Sequence, residues 1–188
     1  MYYPPYGDPY QNPYYGNAAM YNYLDNPNYW TYPNGTIFAN QFKQYHASNG
    51  NNRMMLRDYG PNPYVVNINE ATKQNNTYRT ALWTGKHLQL ALMSLNPGED
   101  IGLEIHPDVD QFLRIEQGQG IAQMGKSKDN LNFKRNVYDD SAIFVPAGTW
   151  HNITNTGNIP LKLYSIYAPP NHPFGTVHPT KAAAEAEE

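Results

Sequence analysis

Between residues 64 and 167 the chain alternates short apolar runs with turn-forming residues, and this alternation leaves it few architectures. The runs occupy residues 64–68, 78–83, 87–95, 111–115, 120–124, 141–145, 152–154 and 161–167. Between them stand Asn96-Pro-Gly98, Gln117-Gly118, Pro146-Ala-Gly148 and Thr156-Gly-Asn158. An apolar run of about four to eight residues suits a strand, whereas a helix wants roughly ten or more. Turns at such regular spacing stop a helix from growing and return successive strands alongside one another. The expected class is all-β, a sandwich or barrel. Residues 181–188 have helix propensity but are too short to be stable alone, and read as a short acidic tail.

The N-terminal third has another texture. Thirteen of the 17 tyrosines and eight of the 16 prolines lie within the first 64 positions. Proline fixes φ and removes a backbone donor, so neither helix nor sheet propagates through such a stretch. Val, Ile and Leu are scarce there, which leaves the entropy of ordering unopposed. Residues 1–60 are therefore expected to be a largely disordered, low-complexity Tyr/Pro/Asn-rich arm. Within it, residues 36–46 have a weak tendency toward a short helix. Pro61-Asn-Pro63 punctuates the boundary, which places the folded domain at 61–180 and the tail at 181–188.

Charge narrows the function classes. Thirteen Lys and Arg against 16 Asp and Glu give a formal charge of -3, without the basic footprint that nucleic acid requires. No run of about 18 apolar residues is present, so no membrane span is expected. Met1-Tyr-Tyr-Pro-Pro-Tyr6 has neither the basic nor the apolar region of a signal peptide. With no cysteine, disulfides, thiolate metal sites and thiol nucleophiles are excluded.

Two clusters carry the chemistry. In the first, Gly98, Glu104, His106, Gln111 and Gly118 are spaced across a run and a turn. Glu104 and His106 are two apart, so on a strand they share a face, and Gln111 would sit on the neighbouring strand. In the second, Asp140, Pro146, Gly148, His151 and Asn155 follow about 40 residues on. Imidazoles and a carboxylate converging inside a barrel are how a borderline divalent cation is held.

On these residues the chain resembles a cupin, over about residues 61–175. The family's first motif, G-x5-H-x-H-x4-E-x6-G, takes Gly98, Glu104, His106, Gln111 and Gly118 in register. Its second, G-x5-P-x-G-x2-H-x3-N, takes Asp140, Pro146, Gly148, His151 and Asn155. The resemblance implies a cupin double-stranded β-helix, a jelly-roll barrel, and one divalent metal ion held by Glu104, His106, Gln111 and His151. Two departures matter: Glu stands at the first His position, and Gln at the Glu position. Both substitutes offer oxygen, giving two nitrogens, two oxygens and one formal negative charge, a set suited to Zn, Mn, Fe, Ni or Co. A bulge that shifted the register would offer Asp110 as an alternative ligand.

The same resemblance implies a small-molecule ligand, a sugar or an organic acid. It implies either an enzyme, such as a sugar or sugar-phosphate isomerase, lyase or oxygenase, or a non-catalytic binding cupin. Mixed Gln, Glu and His sets are similar to those of cupin sugar-phosphate isomerases, though Lys86, Arg114 and Lys162 are the only cations near enough to serve a phosphate. A homodimer is expected. The arm resembles in texture the coat proteins of bacterial spores, which implies self-assembly through it and a cytoplasmic or spore-associated location. The remaining candidates have plainer readings. Asn155 closes a turn, His172 and His178 belong to a structural His-Pro loop, and Tyr164 and Tyr167 lie on a late strand of undecided parity.

Overall fold

The structure, a computed structural model, describes residues 53–187. The disorder and the weak helix expected before residue 53 lie outside the described residues. Among the described residues, nine strands form two antiparallel sheets. The larger joins β1 (Arg79–Thr84), β2 (Gln89–Leu95), β3 (Asp110–Gln117), β6 (Ala142–Val145), β8 (Leu161–Ala168) and β9 (Val177–His178) in the order β6-β3-β8-β2-β1-β9. The smaller joins β4 (Gln119–Gly125), β5 (Phe133–Tyr138) and β7 (Trp150–Asn155) in the order β5-β4-β7. Isolated bridges from Asp100 to Thr154 and from Glu104 to His151 lay the irregular segment 100–104 along the free side of β7. The all-β jelly roll expected from the sequence is the fold observed.

Alternation along each strand sorts the residues. On β8, Leu161, Leu163, Ser165 and Tyr167 face inward, while Tyr164 and Ile166 join the cluster on the outer face. The interior is packed with Met93, Leu95, Leu113, Ile115, Ile153 and Leu163, each no more than 1% exposed. Outside, Leu82, Leu92 and Tyr164 are covered by Met54, Leu56, Tyr59, Tyr64, Val66 and Ala71. Residues 54–59, assigned to the arm by the sequence reading, thus lie against the sheet.

Two elements differ from the sequence reading. The run 64–68 is not a strand: Asn67 caps a helix, α1 (Ile68–Gln74), with its side chain accepting from the Glu70 amide at 3.2 Å. Asparagine offers this local bond, and packing against the sheet then stabilises a helix that is too short alone. Strand β5 was not foreseen, because only Val137 of its six residues is buried and it therefore lacks an apolar run. The acidic tail docks as α2 (Lys181–Glu185), capped by Thr180, with Ala184 2% exposed in the core. Asp140 opens the second motif where the family has glycine, and its φ of 69° shows why glycine suits the position.

Candidate metal centre

Strand β7 and its irregular neighbour build the first half of the site. The Glu104 amide donates to the His151 carbonyl at 3.1 Å, and the His151 amide returns the bond at 3.0 Å. This reciprocal pair fixes the two side chains opposite each other. His106 follows two residues later, its carbonyl anchored by the Gly148 amide at 2.8 Å. Glu104 Oε1 lies 3.3 Å from His106 Nε2 and 3.2 Å from His151 Nε2. The three ligand atoms all fall within 4.8 Å of one another. Of the four residues singled out by motif, three are therefore brought together.

The segment carrying Glu104 and His106 was expected to be a strand beside the one carrying Gln111. It is instead a single bridge in irregular backbone, and β3 belongs to the opposite sheet. Gln111 reaches the interior from across the barrel, 3% exposed and paired with Tyr167 and Val145 on its flanking strands. Its amide nitrogen donates to Ser165 Oγ at 2.9 Å, while its carbonyl oxygen is buried without a hydrogen-bond partner. Asp110 is not an alternative ligand. The β3 register is regular at that position, and Asp110 points outward to accept from the Ala147 amide at 2.9 Å.

The electrostatics of the cluster are strongly coupled. Burial alone would push the Glu104 carboxyl up; with the rings protonated, N–H donation and positive charge from His106 and His151 more than offset this and hold it at about 2. His151 Nδ1 lies 3.0 Å from the Thr149 carbonyl, which can only accept, so that nitrogen carries the proton. In the neutral ring Nε2 is then a bare lone pair aimed at a carboxylate. His106 Nε2 and His151 Nε2 are both buried with no hydrogen-bond partner. Buried polar atoms are nearly always satisfied, so such a group of atoms marks a place for a guest.

Other interior residues escaped the sequence reading. Tyr167 is 0% exposed, and its ring stands edge-on to His106 at 5.7 Å between centroids. His172 stands edge-on to Tyr167 at 5.0 Å. Burial first, and the Arg79 charge second, hold the His172 ring down to about 3, so it is neutral at ordinary pH. Arg79 itself is 1% exposed. Strand β8 reads LKLYSIYA, apolar on both faces, so no alternation betrayed which parity looked inward. The cations considered for a phosphate are elsewhere: Arg114 pairs with Asp140 and Glu116, and Lys162 binds the Asn75 carbonyl. Asn155 closes its turn, donating to the Leu95 and Ile159 carbonyls at 2.9 and 2.8 Å.

Two surface clefts, of about 300 and 530 Å³, lie at the β4–β5 hairpin and along the seam between β5 and β6. Neither is lined by Glu104, His106 or His151, and the site these three form lies elsewhere, with the Glu104 and His106 side chains 19% and 11% exposed and His151 1%. Its inward carboxylate and imidazoles, in the register of both motifs on a double-sheet barrel, agree with the cupin domain family, which matches residues 91–167. The chain belongs to the cupin superfamily.

The cupin is 67% identical over 189 residues to the uncharacterized protein YrkC of Bacillus subtilis, covering 100% of both chains. It is 51% identical over 115 residues to the uncharacterized protein L612 of Acanthamoeba polyphaga mimivirus, covering 61% of this chain and 70% of that one. The crystal structure of BH2720 from Bacillus halodurans matches it with a TM-score of 0.69 and 66% identity, over 70% of this chain and 99% of that one. Among the described residues, no helix is long and apolar enough to cross a membrane.

Proposed function

We propose that this cupin binds one divalent metal ion through Glu104, His106, Gln111 and His151, and acts there on a small polar molecule, a sugar or an organic acid. One observation carries the reading. The Thr149 carbonyl fixes the His151 tautomer so that Nε2 presents a lone pair 3.2 Å from a carboxylate oxygen. Two electron-rich atoms at that distance repel unless a proton or a cation sits between them. The second imidazole and the unpartnered Gln111 oxygen add two further donors, more than a single shared proton would use.

The donor set fits Zn, Mn, Fe, Ni or Co, since imidazole and oxygen ligands without thiolate suit all of them. When bound, such an ion polarises a carbonyl or holds a carboxylate or enediolate. The chain does the rest. Thr149 orients His151, Ser165 orients the Gln111 amide, and the reciprocal backbone pair holds Glu104 in place. These are the outer partners through which a protein tunes its ligands. The apolar layer of Leu113, Ile143 and Val145 keeps water from the floor.

Elemental analysis of full-length protein reconstituted at pH 8 tests the proposal, with one ion per chain expected. Occupancy should fall in acid, because the imidazoles must be deprotonated to bind. His106→Ala and His151→Ala should each abolish binding. Gln111→Glu should tighten it by adding a charge, and Gln111→Ala should weaken it only moderately. No stoichiometric metal at pH 8 would sink the reading.

A further inference from the structure

Two interior polar atoms close to the metal-ligand set take no part in it. Tyr167 Oη and His172 Nε2 are both buried with no hydrogen-bond partner. Ser165 and Gln111 stand beside the phenol but are aligned with each other instead. A buried hydroxyl without a partner bears the full cost of leaving water, so its retention calls for a reason.

The position of His172 is enforced. Gln89, 0% exposed on β2, donates to the His172 carbonyl at 2.9 Å and accepts from the His172 amide at 2.9 Å. This two-point clamp mimics a pair of ladder bonds and turns the loop after β8 back toward the barrel. Gln89, Tyr167 and Gln111 are cross-strand neighbours on β2, β8 and β3, so one inward layer supplies the clamp, the phenol and a metal-ligand candidate. His106, Tyr167 and His172 meet in two successive edge-to-face contacts.

We propose that Tyr167 and His172 form a ligand-holding pair beside the metal-ligand residues, hydrogen-bonding the oxygens of a small carboxylate. This rests on the metal reading above. A phenol and a neutral imidazole can both donate, and a carboxylate accepts from both without bringing a donor of its own. A sugar would bring several donors that these atoms cannot all satisfy.

Glycolate is a suitable probe, titrated calorimetrically into cobalt-loaded full-length protein beside Tyr167→Phe and His172→Gln. Both variants should keep one cobalt per chain and lose at least tenfold in glycolate affinity. Without cobalt or glycolate, Tyr167→Phe should melt at or above the wild-type temperature, since the lost hydroxyl had no partner; a hydroxyl with a purely structural role would lower it. Cobalt-loaded variants that bind glycolate as the wild type does would overturn the pair alone. Wild-type protein that holds cobalt but takes up no glycolate at millimolar concentration would overturn the ligand class. Wild-type protein that holds no cobalt would overturn the metal reading, and the pair with it.

Discussion

The two ends of the barrel interior share strands β3, β7 and β8 and lead opposite lives. At one end, Met93, Leu95, Ile115, Ile153 and Leu163 fill the space with side chains that need only contact. At the other, Glu104, His106, His151, Gln111, Tyr167 and His172 crowd polar atoms together, and five of those atoms have no hydrogen-bond partner. On β8 the change takes four residues, from Leu163 through Ser165 to Tyr167. The apolar end stabilises the fold, and the polar end is stabilised by it. Such local disagreement with folding rules is where function is expected.

The comparison breaks first, and most heavily, at Leu163. At 0% exposure its truncation to Ala should cost about 2–5 kcal/mol and lower the melting temperature, while cobalt stoichiometry stays at one per chain. If metal binding fell together with stability, the two ends would be one cooperative device rather than two.

Acid should act on the polar end next. His172 protonates near its ordinary value in the unfolded chain but only at about 3 in the fold, so the unfolded state binds more protons in between. Stability of the metal-free protein should therefore fall as pH drops below about 6.5 toward 3, by roughly 2 kcal/mol once partial exposure of the ring is allowed for. Glu104, held at about 2, adds a loss of the same sign below about 4.5. Denaturant melts across pH should show both windows, and His172→Gln should flatten the upper one alone.

The border residue gives the smallest effect. Ser165→Ala leaves the buried Gln111 amide nitrogen without its acceptor, at a cost of about 1 kcal/mol. Metal affinity should fall by less than tenfold, since the amide loses orientation and keeps its oxygen. A change above a hundredfold would mean that Ser165 itself belongs to the ligand set.

Glu104, His106 and His151 were legible because two fixed spacings marked them, and Gly148 and Asn155 because turns restrict residue types. The parity of β8 was not legible, since both faces of LKLYSIYA are buried, one against the core and one beneath α1 and residues 54–66. Strand β5 was hidden for the opposite reason: it is an exposed edge with little to bury.

By itself the sequence determined the class of fold, the order of its turns and the identity of three converging polar side chains. Each of these depends on local periodicity or on spacing along the chain. Only the tertiary structure decided that Gln111 lies on the sheet opposite β7, that Tyr167 looks inward beside it, and that His172 returns to join Tyr167. Those placements depend on sheet pairing and on a clamp between Gln89 and a residue 83 positions away. No local pattern encodes such a contact, because its energy exists only once the barrel has closed.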